Sequence, residues 1–147
     1  MSPDERIELE PLTILEQLDP HEIQFLEDRI YDYNKTQTGI DDARLLVITM
    51  RDQTGNLVAG LYGWTWGGCC EVKVLWVHEQ LRGRGVGTRL MSAAEAEVRL
   101  RGGVQIILST HDFQAPDFYH RLGFEQVAQI EDYPAGHRSI FLRKLLR

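Results

Sequence analysis

Between residues 82 and 87 the chain reads Arg82-Gly83-Arg84-Gly85-Val86-Gly87, with glycine at every second position from 83. Small residues let backbone amides approach a bound group closely. A helix beginning here offers unpaired N–H donors and a dipole that favours negative charge, so a ligand suited to the loop carries phosphate. Arg82 and Arg84 can add charge-assisted contacts or simply remain solvated on an exposed loop. Two common phosphate loops fail on spelling. A dinucleotide fingerprint needs glycine where Thr88 stands if counted from Gly83, and where Leu90 stands if counted from Gly85. A Walker loop needs Gly-Lys-Ser or Gly-Lys-Thr at the helix start, and the chain has neither tripeptide. The histidines His21, His78, His111, His120 and His137 form no HExxH pattern, and Cys69 and Cys70 are neighbours without CxxC spacing, so no metal is expected.

A strand before the loop and a helix after it must hold it in place. Cys69 to Val77 is rich in β-branched and aromatic residues and reads as that strand. From Val86 to about Leu100, Val86, Leu90, Ala94 and Val98 recur at helical spacing, with Glu95/Arg99 and Glu97/Arg101 as oppositely charged pairs four apart. Gly102-Gly103 ends this helix, and Val104 to Leu108 is short and apolar enough for a buried strand. Strand, loop, helix, strand predicts a crossover between parallel strands. Upstream, Arg44 to Arg51 and Leu57 to Trp66 flank the turn residues Asp52 to Asn56 as an antiparallel hairpin, which Gly67-Gly68 extends into Cys69 to Val77. Trp64 and Trp66 point to one face, where core packing is expected, with the acceptor site or a dimer face as alternatives. Before that lie a short extended segment, Arg6 to Glu10, and a helix begun by Asp19-Pro20-His21-Glu22. Its face Ile23, Leu26, Ile30 runs to about Tyr33. Downstream, a short helix around Ala115 to Arg121 precedes a final strand pair, Phe124 to Ile130 and Ser139 to Leu145.

At 147 residues and 43% apolar content the chain is expected to be a single domain, residues 1–147, with a continuous core. No apolar run is long enough to span a bilayer, and Met1 to Arg6 opens with acids, so no membrane association and a reducing cytoplasm are expected. The net charge of −6 argues against a nucleic-acid partner and suits a cationic or amine substrate, although solubility alone is its plainer explanation.

The glycine loop closely resembles the Q/R-x-x-G-x-G/A signature of the GCN5-related N-acetyltransferase (GNAT) superfamily. Leu75-Trp76-Val77-His78-Glu79 resembles that family's fourth strand, and Phe118-Tyr119-His120-Arg121-Leu122-Gly123-Phe124 its FYxxxGF segment. The resemblance implies an α/β fold: a mixed sheet of about six or seven strands flanked by helices, with two central parallel strands, Cys69 to Val77 and Val104 to Thr110, splayed apart. It also implies acetyl-CoA as acyl donor. The donor would be held by Leu75, Trp76, Val77, Phe118 and the loop, with the amides of Arg84, Gly85, Val86, Gly87 and Thr88 on the pyrophosphate. The acceptor would be a primary amine of a small molecule or peptide, and a homodimer is implied.

Direct acetyl transfer to an amine needs a neutral nucleophile, a stabilised oxyanion and a proton for the departing thiolate. Tyr119 matches the family's general acid; packing as a core aromatic is its plain alternative. Glu71 falls where the histone-acetylating branch carries a glutamate base, although a bulge could re-aim it, and many relatives use a water chain. Asp112 stands where many relatives have an asparagine touching the cofactor; an ionised carboxylate accepts hydrogen bonds but cannot donate them. His111 and Gln114, and Tyr31, Tyr33 and Asn34 at the end of the first helix, are candidate acceptor contacts, with loop polarity and helix packing as the plainer readings. The rival function is a catalytically weak acetyl-CoA-binding sensor or interaction module.

Overall fold

The protein is described here by a computed structural model in which residues 6–146 are placed. The chain divides into two compact units, Met1–Gly39 and Ile40–Arg147. In the first unit, helix α1 (Pro20–Thr38) begins as expected: the Asp19 carboxylate accepts the His21 amide at 2.9 Å, and Pro20 occupies the first turn. The helix passes the expected end at Tyr33 because nothing breaks it before Gly39, whose φ of 70° closes it with an N–H to the Lys35 carbonyl. The Thr36 and Thr38 hydroxyls donate to the carbonyls of Asp32 and Asn34, so even these poor helix formers are satisfied in place. No residue of α1 is buried, Ile23, Leu26 and Ile30 included. Arg6 to Glu10 joins no strand.

The second unit is a six-stranded sheet in the order β1-β2-β3-β4-β6-β5. It comprises β1 (Arg44–Arg51), β2 (Leu57–Trp66), β3 (Cys69–Val77), β4 (Gln105–His111), β5 (Glu125–Glu131) and β6 (Arg138–Leu145), with α2 (Val86–Leu100) and α3 (Pro116–Arg121) between strands. Only β3 and β4 pair in parallel; the other neighbours are antiparallel. The β1–β2 turn is made by Asp52, whose carboxylate accepts from the Thr54 and Asn56 amides and both side chains. With the Thr54 hydroxyl bond foremost, these donors pull its carboxyl down to about 2.

The core lies on one face of the sheet. Cys70, Val72, Ile106, Leu108, Ile140 and Leu142 pack there with Met91, Ala94 and Val98 of α2 and with Tyr119 and Phe124. On β2 the buried set is Ala59, Leu61, Gly63 and Thr65, which corrects the core placement expected for the tryptophans. They occupy the alternate positions: Trp64 is exposed, and the half-buried Trp66 donates its indole N–H to the Ile40 carbonyl at 3.1 Å. Cys69 and Cys70 are both free thiols, the first half-buried and the second buried. Burial, chiefly, pushes the Cys70 thiol up to about 11.

Two features open the sheet. β3 and β4 stay in register for four pairs, from Cys69 with Gln105 to Val72 with Leu108, and then part. On the other side of β3 the register with β2 shifts between Tyr62 and Gly63: Gly63 faces Val72 while Tyr62 faces Val74, so Lys73 is the extra residue of a bulge. The bulge thus begins where the β3–β4 ladder ends, bending β3 away while β4 stays paired to β6 as far as His111 with Ser139.

Candidate functional site

The glycine loop sits where the sheet opens. A single 3-10 turn, Glu79–Leu81, follows β3, and the His78 ring Nδ1 caps it by accepting the Gln80 amide at 3.1 Å. Gly83 and Gly85 then adopt left-handed backbone, with φ of 73° and 77°, which a side chain would strain. Gly85 is the N-cap of α2 and supplies no side-chain bond; the first intrahelical bond is from Arg89 N–H to the Gly85 carbonyl. By helix geometry the amides of Val86, Gly87 and Thr88 have no carbonyl inside the helix. A Cβ at Gly83 or Gly85 would meet nothing within 4 Å, so both glycines border open space, whereas at Gly87 it would come within 3.1 Å of the Phe118 ring.

A cavity of about 550 Å3 lies here, lined by β3 (Leu75, Trp76, Val77), the loop and first turn of α2 (Arg82, Gly83, Gly85, Val86, Gly87, Thr88) and Phe118 of α3. All of these were expected from the sequence. Arg84 is exposed and outside the lining. Leu81, Ala115 and Arg121 also line the cavity and were missed. The signal for Arg121 was available, since it lies inside the Phe118-to-Phe124 segment and three residues along a helix from Phe118. The Arg82 guanidinium Nε donates to the Val77 carbonyl at 3.1 Å, tying the loop to the end of β3. Open, unpaired amides, two cations and an apolar wall suit a phosphate-bearing ligand with a long apolar arm, so the donor set fits coenzyme A.

Glu71 precedes the bulge and so keeps its register, paired with Trp64 on β2 and with Ile107 on β4. Because Cys70 and Val72 point into the core with α2, Glu71 projects from the opposite face, in the last-but-one pair before the strands part. By the same alternation Ser109 and His111 of β4 share that face, with buried Leu108 and Thr110 on the other.

Tyr119 is 8% exposed and packs edge to face with Phe118 and Phe124, at 5.0 and 5.7 Å between ring centroids. It stands behind Phe118, which itself lines the cavity. Burial pushes the phenol up, so it stays protonated at neutral pH.

Asp112 and Gln114 lie outside the cavity lining and are held by neighbours. The Gln114 side-chain oxygen accepts the His111 amide at 2.8 Å and the Thr110 hydroxyl at 3.3 Å. The Asp112 carboxylate lies 3.1 Å from the His137 ring and 3.8 Å from Arg138. Burial opposes its ionisation, but the Arg138 backbone amide and the His137 and Arg138 side chains hold its carboxyl below the usual range. His111 Nδ1 is 3.0 Å from the Tyr133 carbonyl. A carbonyl only accepts, so Nδ1 carries the proton there and, in the neutral ring, Nε2 carries the lone pair.

Tyr31, Tyr33 and Asn34 lie within α1 rather than at its end, and in the first unit. The Lys35 ammonium lies 5.0 Å from the Tyr31 ring centroid, Tyr33 is exposed, and the Asn34 carbonyl accepts the Thr38 hydroxyl.

Comparison with known proteins meets this geometry. Residues 9–124 match the model of the acetyltransferase (GNAT) family. A blasticidin-S acetyltransferase of Streptomyces morookaense is 43% identical over 98 residues, covering 64% of this chain and 70% of the relative. Acetyltransferase Atu2258 of Agrobacterium fabrum is 32% identical over 119 residues, 81% of this chain and 87% of the relative. A crystal structure of an acetyltransferase from Agrobacterium tumefaciens superposes with a TM-score of 0.83 at 28% identity, covering 93% of this chain and all of that one. With a mixed sheet that parts beside a glycine loop, and with a family match spanning most of its length, this chain belongs to the GNAT family of acetyltransferases and is an acyltransferase using an acyl-CoA donor.

Proposed function

We propose that the protein transfers the acetyl group of acetyl-CoA directly to the primary amine of a small molecule or peptide. The observation carrying this reading is the 550 Å3 cavity between the glycine loop, Phe118 of α3 and the stretch of β3 from Leu75 to Val77, which lies past the last residue paired with β4. Acetyl-CoA, when bound, supplies an acetyl group activated as a thioester. The amides of Val86, Gly87 and Thr88 would hold the pyrophosphate, assisted by the charges of Arg82 and Arg121. Leu75, Val77 and Phe118 of the cavity wall would pack against the donor's apolar arm. On the far face Glu71 takes the proton from the incoming ammonium, directly or through water, so that the amine attacks as the free base. Tyr119 protonates the departing thiolate, a role its protonated phenol suits.

A small-molecule acceptor is supported by the relative from Streptomyces morookaense, which is named for acetylating blasticidin S. We place the enzyme in the reducing cytoplasm, in keeping with its two free thiols, and as a homodimer. The test is release of CoA from acetyl-CoA over a panel of amines, amino acids, polyamines, aminoglycosides, blasticidin S and peptides, repeated with propionyl-CoA. Saturable acetylation of at least one amine, faster with acetyl than propionyl donor, is expected. Tight CoA binding with no turnover of any acceptor would overturn the reading in favour of a binding module.

A further inference from the structure

A second cluster lies at the end of β4 and in the β5–β6 turn. The rings of His111 and Phe113 are stacked, parallel to within 1° at 5.2 Å between centroids. Tyr133 meets His111 edge-on at 5.3 Å, and His137 meets Phe113 edge-on at 4.9 Å. Two bonds lock the group: His111 to the Tyr133 carbonyl, and His137 to Asp112, which Arg138 also approaches. Rings fixed in this way would ordinarily be hidden. Instead Phe113 is 55% exposed and Tyr133 60%, so the turn holds rigid aromatic surface out to solvent.

Its position gives that surface a use. His111 projects from the same sheet face as Glu71, across the gap, and Phe141 of β6, the register partner of Ser109, adds apolar surface to that face on the other side of β4. From Ile107, the partner of Glu71, to His111 is about 13 Å at the ordinary rise of a strand, and side chains reaching inward from both ends shorten the open span. Aromatic rings favour other rings by offset stacking or edge contact, beyond what burial alone supplies. With Nδ1 turned to the Tyr133 carbonyl, the other ring nitrogen of His111, Nε2, is the one left to meet a polar group of the ligand.

We propose that Phe113, Tyr133 and His111 form a shelf that binds an aromatic or heteroaromatic ring of the acceptor, so that the preferred substrates are amines carrying such a ring on a short spacer. This rests on the acetyl-transfer reading above for the place of the amine, but the shelf can be tested without turnover. The probes are 2-phenylethylamine and 4-phenylbutylamine, each against its cyclohexyl counterpart, which keeps the amine, length and bulk but removes the π system. Binding to the CoA-loaded protein is measured by calorimetry, and kcat/KM with acetyl-CoA in parallel, for wild type, Phe113→Leu and Tyr133→Leu. The phenyl compound of one pair is expected to be favoured roughly tenfold in both measurements, and each substitution to bring the ratio near unity. Phe113 and Tyr133 are exposed, so both variants should fold, which circular dichroism checks. Equal binding of phenyl and cyclohexyl amines, no binding of either, or a preference that survives both substitutions overturns the shelf. Phe113-dependent ring binding without turnover would keep the shelf and overturn the acetyl-transfer reading; turnover without ring preference would do the reverse.

Discussion

Gly63 on β2 lies so close to the backbone carbonyl of Glu71 on β3 that a Cβ at position 63 would overlap it and come within 3.0 Å of the Val72 Cα. The contact is backbone against backbone, so no rotamer can relieve it. Gly63 is therefore the residue that permits the Lys73 bulge and, with it, the parting of β3 from β4. Gly63→Ala should destabilise the protein by about 1–3 kcal/mol, the usual cost of overpacking. It should also lower turnover more than the lost stability explains, because Glu71 shifts with the strand. Urea unfolding beside kcat/KM checks this; a neutral Gly63→Ala would mean that the two strands yield freely.

Gly87 plays a comparable role on the helix side. A methyl there would come within 3.1 Å of the Phe118 ring, which would have to turn toward the cavity. Gly87→Ala is expected to weaken CoA binding about tenfold, of the order of 1.4 kcal/mol, and to change kcat less. Titration of CoA by calorimetry gives the answer directly.

Glu71→Gln keeps shape and hydrogen bonding but removes the proton acceptor. About a 100-fold loss of kcat is expected, with acetyl-CoA affinity retained and the ascending limb of the pH–rate profile displaced. A variant with the wild-type limb would exclude Glu71 as the base.

Tyr119→Phe should leave the core nearly intact, since the ring and its contacts with Phe118 and Phe124 remain. As the general acid, its loss should cost roughly tenfold or more in kcat without raising the KM for acetyl-CoA. Replacing the acetyl thioester by a donor with a better leaving thiolate should then rescue the variant more than wild type. No change in kcat would leave Tyr119 a packing residue.

Glu95 predicts an acid-sensitive clamp. Its carboxylate bonds Lys144 of β6 at 2.9 Å and Arg99 at 2.9 Å, and these partners, Lys144 first, hold its carboxyl below the ordinary 4.5. A depressed folded value means that the pair stabilises the fold above about pH 4.5 and loses that contribution as the pH falls through the folded value. A double-mutant cycle of Glu95→Gln with Lys144→Met should give a coupling of about 1 kcal/mol at pH 7 that declines as acid protonates the carboxylate, below the pH at which a free glutamate would titrate. A coupling independent of pH would contradict the ion pair.

What could be read from the sequence was what local chemistry decides. The Asp52 turn, the Asp19 cap, the glycine loop and the helical spacing from Val86 to Val98 each depend on residues a few positions apart, and the hairpin, the parallel crossover and the final strand pair followed from such signals, whereas the place of β6 between β4 and β5 did not. What escaped depended on partners distant in sequence. Lys73 bulges because of Gly63 on another strand, and nothing in its own surroundings marks it. Asp112 is claimed by His137, 25 residues away, and Gln114 by its own turn, so neither lines the donor cavity where Asp112 was expected. Trp64 and Trp66 obeyed alternation, but alternation does not say which face is covered.

The gap between β3 and β4 leaves two three-stranded halves joined by four pairs of residues, and α2 spans that seam. One end of the helix is fastened by Arg101, the residue after its last turn, whose guanidinium donates to the Leu45 carbonyl at 2.9 Å and the Thr65 hydroxyl at 3.1 Å. Its middle is fastened to the other half through Glu95 and Lys144. The helix that presents amides to the phosphates is thus also a splint, and the width of the opening is set by its length and two anchors. An aperture braced in this way is built by folding instead of by the incoming substrate, so little binding energy is spent on prising the sheet apart.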